Sequence, residues 1–107
     1  MFGLFGKKAM DIEASKAFWN WFVQKEEWIK ETVNTDGMRV VGAVDAQLKP
    51  VFSYFKGEIE FQLGYNDGTG EFFFFHLGDP NLLRDGKTLG DMMPDELREH
   101  WTFILEA

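Results

Sequence analysis

The chain contains no cysteine among its 107 residues. This absence excludes disulfide bonds, thiol nucleophiles and metal sites that need a cysteine ligand. Histidine and serine are scarce as well, at two residues each. Neither serine lies in a Gly-x-Ser-x-Gly sequence, and the histidines form neither a His-x-x-x-His nor a His-Glu-x-x-His pattern. Because these spacings are the usual signatures of serine hydrolases and zinc enzymes, we expect no catalytic residues, no metal and no cofactor.

Positive charge is also in short supply. The chain has 11 Lys and Arg residues against 18 Asp and Glu residues, which gives a net charge of −7. The imbalance lies in residues 58–107, where 11 acids accompany 3 bases. Phosphate binding needs clustered Lys and Arg, so the composition argues against a nucleic-acid partner. The acidic half either serves solubility alone or forms a surface for a basic protein partner.

Long apolar runs are missing as well. No stretch approaches the ~20 apolar residues that a membrane-spanning helix needs. Residues 1–8 place Lys7 and Lys8 after only three large apolar side chains, whereas a secretory signal has its basic residues before the apolar run. We therefore predict a cytoplasmic protein that has no membrane partner and whose residues 1–10 form a flexible N-terminal arm. The alternatives are docking of that arm onto the rest of the chain or onto a second subunit, and a weak membrane-surface anchor, for which two Lys residues supply little binding energy.

Aromatic residues, in contrast, are abundant, with 12 Phe, 4 Trp and 2 Tyr. A chain of this length has room for one domain, which we place at residues 11–107. Residues 11–33 are predicted to form a helix, because Phe18, Trp21 and Phe22 recur at helical spacing. Such a helix presents a broad aromatic stripe to the rest of the fold.

Prolines mark the limits of two further predicted helices. Residues 38–49 have apolar side chains at helical spacing, and Pro50 ends this helix because proline disfavours helical backbone at the residue before it. Residues 94–99 form a short helix that begins with a proline in its first turn. Residues 79–93 are predicted to be irregular, because they contain Asp-Pro and Asp-Gly pairs, which are turn signals.

Three strands complete the predicted fold. Residues 58–65 alternate between apolar and polar side chains, and residues 71–77 follow as a return strand after a Gly-rich hairpin loop. Residues 101–105 form the last strand. The order α-α-β-β-α-β predicts an α+β domain in which helices pack on a small antiparallel sheet. The residues expected in the core are Phe18, Trp21, Phe22, Val44, Leu48, Phe61, Leu63, Trp101 and Phe103.

The pairing of the hairpin decides which phenylalanines face outward. If Tyr65 pairs with Glu71, residues directly opposite one another share a face of the sheet. The second face of the sheet then carries an apolar patch rimmed by acids, larger than solvent-facing strands usually leave bare. This predicted patch contains Glu60, Gln62, Phe72, Phe74, His76 and Ile104. A two-residue turn at Asp67 and Gly68 would reverse the faces. We expect a second chain to cover the patch, either as a homodimer or as a different protein. The segment Gly78–Met93 is the next candidate, and the N-terminal arm is another.

A resemblance accompanies this fold prediction. It rests on Phe-Trp-Asn-Trp-Phe at residues 18–22, Ile-Glu-Phe-Gln-Leu at 59–63, the return strand from Glu71, and Pro-Asp-Glu-Leu at 94–97 running into Trp-Thr-Phe at 101–103. In these features the chain resembles a group of small uncharacterised bacterial proteins. That group shares an early Phe-Trp-x-Trp helix, a central hairpin and a late helix leading into the last strand. The resemblance implies a fold and supplies no activity.

Three functions remain open at this point. The first is a non-catalytic acidic module that binds another protein, for example an immunity-type protein that neutralises a toxin by covering a basic active site. The second is a domain that binds a small or lipid-like ligand in an aromatic pocket between the first helix and the sheet. The third is an enzyme with a carboxylate site that the sequence does not reveal. We favour the first.

Overall fold

The structure, a computed structural model, describes residues 8–107. Within this range, helices and strands combine into an α+β fold around a three-stranded sheet, as predicted. The elements in chain order are α1 (Ile12–Thr32), α2 (Gly37–Leu48), β1 (Glu60–Asn66), β2 (Thr69–Phe75), α3 (Pro80–Asp91), α4 (Asp95–Arg98) and β3 (Trp101–Glu106). The flexible N-terminal arm was predicted for residues 1–10, and residues 1–7 of it lie outside the described part of the chain.

Aspartate side chains begin the first two helices. Asp11 accepts a 2.9 Å hydrogen bond from the backbone N–H of Ala14 at the start of α1. Asp36 accepts from the N–H of Arg39 at the start of α2. Each bond satisfies a backbone donor that has no partner inside the helix. The limits of both helices lie within one residue of the predicted limits.

A tight turn sets the pairing of the hairpin. Asp67 and Gly68 have positive φ angles of 53° and 78°, the backbone of a two-residue type I′ turn, which matches the twist of the strands beside it. Tyr65 therefore pairs with Gly70. The predicted pairing of Tyr65 with Glu71 is wrong by one residue, and this shift reverses the face on which every β2 side chain lies.

The last strand makes the sheet mixed. The order of strands is β1-β2-β3, with β1 antiparallel and β3 parallel to β2. The prediction of an antiparallel sheet is thus right for the hairpin and wrong for β3. Helices α3 and α4 carry the chain from the end of β2 back to its beginning, which is the kind of crossover that a parallel pair requires.

The segment that was predicted to be irregular contains a helix of three turns, α3. The Asp79 carboxylate caps it by accepting hydrogen bonds from the N–H groups of Asn81 at 2.8 Å and Leu82 at 3.1 Å. Pro80 occupies the first turn, where its missing N–H costs nothing. The Asp-Pro pair, interpreted as a turn, is a helix start.

Glycines in α3 allow the helix to lie close to the sheet. A Cβ atom on Gly86 would be 2.8 Å from the ring of Phe74 and 2.9 Å from a methyl group of Leu105. Side chains do not approach one another that closely, so a larger residue would force α3 away from β2 and β3. Gly86 and Gly90 weaken the helical pattern in the sequence, because glycine has a low helix propensity, but they allow α3 to pack closely on the sheet.

Aromatic rings fill the space between α1 and one face of the sheet. The rings of Phe22 and Trp101 meet at 5.1 Å between centroids and at right angles, and those of Phe18 and Phe72 meet at 6.1 Å and 83°. Edge-to-face contacts of this kind add to the free energy of burial. The indole N–H of Trp19 donates a 3.0 Å hydrogen bond to the carbonyl oxygen of Leu89, so its polar atom is also satisfied.

The predicted core is confirmed in part. The buried members are Phe18, Phe22, Val44, Leu48 and Trp101. The half-buried members, which pack against that core, are Trp21, Phe61, Leu63 and Phe103. Trp19, which the prediction left out, is only 2% exposed. The aromatic stripe of α1 is therefore turned toward Trp19 and away from Trp21.

Candidate functional site

Two phenylalanines of the predicted patch are in the core. Phe72 and Phe74 have no exposed surface, and they lie under α1 and α3. Their assignment to an interaction surface is therefore wrong. The physical reason is the two-residue turn at Asp67 and Gly68, which places alternate residues of β2 on the opposite face from the one predicted.

The opposite face of the sheet still carries an apolar centre. Phe73 lies between Gln62 of β1 and Ile104 of β3, while Phe75 lies between Glu60 and Glu106. Both phenylalanines and Ile104 are half-buried. We call this surface the open face; its members are Glu60, Gln62, Glu71, Phe73, Phe75, Thr102, Ile104 and Glu106.

The apolar side chains of the open face do not belong to the hydrophobic core formed by the described residues. Phe61 and Leu63, on the helical side of the sheet, pack against the core, whereas Phe73, Phe75 and Ile104 are absent from that cluster. The aromatic contacts within residues 8–107 include neither Phe73 nor Phe75, although they include Phe72 and Phe74. The open face is thus an apolar strip on the side of the sheet that the described helices do not cover.

Acids dominate the charge of the open face. Glu60, Glu71 and Glu106 stand around the apolar strip, and the three strands contain no Lys or Arg. The predicted members Glu60, Gln62 and Ile104 lie on this face, since their pairing partners place them beside Phe73 and Phe75. The chemistry predicted for the patch is therefore present, on different phenylalanines.

His76 follows β2 directly and is half-buried. Its backbone N–H donates a 2.8 Å hydrogen bond to the carbonyl oxygen of Glu106, and its Nδ1 accepts one of 3.0 Å from the N–H of Gly78. Leu77 and Gly78 have positive φ angles there. These contacts give His76 a structural position at the end of the sheet.

A groove lies beside the open face, between α2 and the free edge of β1. It has a volume of about 570 Å³, within the range of ligand-binding clefts. Met38 and Val41 contribute apolar walls from α2, and Glu58 and Glu60 contribute carboxylates from the sheet side. No local pattern in the sequence predicts this groove, because its walls come together only when the folded chain brings α2 beside β1.

A buried aspartate ties together three distant segments. The Asp85 carboxylate accepts hydrogen bonds from the Tyr54 hydroxyl at 2.7 Å, from the Met10 N–H at 3.1 Å, and from two guanidinium nitrogens of Arg84 at 2.8 and 2.9 Å. Arg84 also donates to the carbonyl oxygen of Lys8. Met10, which the prediction placed in a flexible arm, is buried.

Electrostatics in this cluster favour the ionised aspartate. Burial alone would raise the pKa of Asp85, but the hydrogen bonds from Arg84 and Tyr54 outweigh burial, and the net pKa lies below its ordinary value of 3.8. Burial and the bond to Asp85 raise the pKa of the Tyr54 hydroxyl, so Tyr54 keeps its proton. With every group paired, the cluster fastens the N-terminal segment to α3.

The position expected for an aromatic ligand pocket is occupied by side chains. Phe18, Trp19 and Phe22 of α1 are at most 2% exposed, and they contact the rings of the sheet directly. Within residues 8–107 no cluster of histidine and acidic side chains is arranged to ligate a metal ion. In that same part of the chain, every helix is too short or too polar to span a bilayer.

Comparison with known proteins leaves the family open. No protein-family model, curated protein or solved structure matches this chain. The resemblance to small bacterial proteins, which rests on residues 18–22, 59–63 and the C-terminal strand, therefore stays a prediction.

Proposed function

We propose that this protein is a non-catalytic module that binds a basic protein through the open face of its sheet. One observation carries the proposal: Phe73, Phe75 and Ile104 form an apolar strip, outside the core, among the carboxylates of Glu60 and Glu106. Apolar strips with a polar rim are typical of protein interfaces.

The acidic side chains around the apolar strip favour a partner with a basic surface. Carboxylates around an apolar centre attract a surface that carries Lys or Arg, and they repel acidic surfaces. Two copies of this chain that met face to face would bring Glu60, Glu71 and Glu106 of each copy together. The same charges that attract a basic protein thus disfavour a homodimer through the open face.

An immunity-type role is one concrete form of this proposal. A basic active site, such as that of a toxin acting on nucleic acid, presents clustered Lys and Arg residues. A small acidic domain with an apolar centre can cover such a site and exclude its substrate. The proposal places this protein in the cytoplasm of a bacterial cell.

Capture of partners from the native cell tests the proposal. A tagged wild-type chain serves as bait beside Phe73→Ser, and Leu83→Ser is the matched control because Leu83 is an exposed apolar residue of α3. Wild type and the control should enrich the same basic protein, and Phe73→Ser should reduce its recovery by about tenfold or more. Equal recovery by a folded Phe73→Ser variant would contradict the proposal, as would the absence of any protein above a tag-only background.

A further inference from the structure

Within residues 8–107, no strand pairs with the outer edge of β1. The Tyr65 carbonyl oxygen accepts a 2.7 Å hydrogen bond from the Asn34 side-chain amide, so this carbonyl faces away from β2. In an antiparallel strand the direction of the backbone groups alternates, and the groups of Phe61 and Leu63 therefore face the same way as those of Tyr65. No hydrogen bond from elsewhere in residues 8–107 reaches the edge groups of Phe61 or Leu63.

The edge of β1 forms one wall of the groove, and apolar side chains of α2 form the other. Within the described chain these side chains of α2 are exposed. Met38 is 88% exposed and Val41 is 40% exposed, at a spacing of three residues. Gly42 lies beside them, and a Cβ atom there would meet nothing within 4 Å. The helix thus stands off from the sheet edge and leaves room for a further chain segment.

The charge of the groove is negative. Asp45, Glu58 and Glu60 line it, and no Lys or Arg from the described part of the chain, residues 8–107, is among the lining residues. Asp45 has an ion pair with Lys49 at 3.4 Å, on a lysine that is 66% exposed. An exposed pair of this kind is weak, so Asp45 can exchange it for another cation.

We propose that the groove binds an extended peptide segment with alternating apolar and Lys or Arg side chains, which adds to β1 as a fourth strand. The edge groups of Phe61 and Leu63 supply the backbone hydrogen bonds. Met38 and Val41 contact the apolar side chains, and the carboxylates pair with the cations. Binding of this type takes its affinity from the main chain and its specificity from the side chains.

The acidic lining of the groove favours a basic segment of another protein over a second copy of this chain. A second copy of the chain that paired edge to edge through β1 would place Glu58 and Glu60 near their counterparts. Like charges on neighbouring strands are destabilising, so a basic segment of another protein fits better. The inference concerns a neighbouring surface, which shares only Glu60 with the open face, and it does not depend on the proposed function.

The test uses the octapeptide Ac-Lys-Val-Lys-Val-Lys-Val-Lys-Val-amide and amide chemical shifts of the isotope-labelled protein. The strongest shifts should fall in residues 58–63 and 37–45. Replacing Lys by Glu in the peptide should weaken binding by about tenfold or more. Methylation of alternate backbone nitrogens along one edge of the peptide should also weaken binding by about tenfold or more. It removes the N–H donors that strand addition needs, and it keeps the charge of the peptide.

Variants of the protein complete the test. Val41→Arg places a cation in the groove and should weaken binding of the Lys-Val peptide by about tenfold. Leu83→Arg makes the same change at an exposed leucine of α3 and should leave binding unchanged. The dispersion of the amide spectrum shows that each variant is folded.

Three outcomes would overturn the inference. The first is equal binding of the N-methylated peptide, which would mean that the main chain of the peptide is not used. The second is a set of shifts confined to Phe73, Phe75 and Ile104, which would leave the proposed function standing and remove the groove site. The third is dimerisation of the free protein through β1, which would identify a second copy as the occupant.

Discussion

The Asn34 side-chain amide donates a 2.7 Å hydrogen bond to the carbonyl oxygen of Tyr65 and so joins the end of α1 to the edge of the sheet. This bond occupies the edge of β1 near the hairpin turn. Beyond it the edge groups of Leu63 and Phe61 have no hydrogen-bond partner within residues 8–107, and the groove beside α2 begins at Phe61. The chain thus closes one end of its edge strand and leaves the other end accessible.

Neighbouring phenylalanines of β2 should differ sharply in their contribution to stability. Phe72 is buried under α1, so Phe72→Ala should lower the free energy of unfolding by about 3–5 kcal/mol. Phe73 lies on the open face, and Phe73→Ala should cost roughly 1 kcal/mol or less. Urea unfolding of the two variants measures both values. A larger loss for Phe73→Ala than for Phe72→Ala would mean that the hairpin has the other register, and equal losses would mean that both faces of the sheet are covered.

Acid should remove the stabilisation that Asp85 provides. The pKa of Asp85 is lowered in the folded chain, so its contribution is present above the unfolded pKa of about 3.8 and is lost as the pH falls through the folded pKa. Near neutral pH, Asp85→Asn should lower the free energy of unfolding by about 1–3 kcal/mol, because it weakens the bonds from Arg84 and Tyr54. The difference from wild type should shrink steadily below the unfolded pKa.

A control for this prediction lies on the same helix. Asp91 is exposed and pairs with Lys87 at 3.5 Å, so Asp91→Asn should change the free energy of unfolding by less than about 1 kcal/mol at any pH. Urea titrations at several pH values compare the two variants. A loss in Asp85→Asn that does not vary with pH would show that the ionised form of Asp85 has no special role.

Two helical glycines should respond in opposite ways to alanine. Gly86→Ala puts a methyl group against Phe74 and Leu105 and should destabilise the fold by about 1–3 kcal/mol, despite the better helix propensity of alanine. Gly42→Ala meets nothing within 4 Å and should stabilise α2 by about 0.5–1 kcal/mol. Thermal unfolding separates the two. A stabilising Gly86→Ala would mean that α3 lies farther from the sheet.

Local patterns in the sequence predicted most elements of the fold. Alternation and helical spacing located α1, α2, the hairpin and β3 within about two residues, because these signals report which side of an element is buried. The helix α3 was missed because Asp79 and Pro80 are equally good as a turn and as a helix start. Gly86 and Gly90 added to the error, since their reason for being in a helix is the nearby sheet.

The candidate site was less accessible to sequence reasoning. Four consecutive phenylalanines give the same alternating pattern in either register, so the sequence alone does not show whether Phe72 or Phe73 faces outward. The turn at Asp67 and Gly68 determines the register, and an Asp-Gly pair favours the two-residue turn that is observed. The groove between α2 and β1 depends on long-range packing, which no local pattern in the sequence reports.

Charge reversal at the open face tests the central claim most directly. Glu71 and Glu106, which lie on the open face and outside the lining of the groove, are changed together to Lys, and affinity for the partner protein identified by capture is measured by titration. The matched variant reverses two exposed acids of the helices, Glu31 and Asp91, and therefore has the same net charge. We expect the first variant to lose about tenfold or more in affinity, with the second close to wild type. Equal losses in the two variants would show that only the total charge matters, and they would contradict a binding site on the open face.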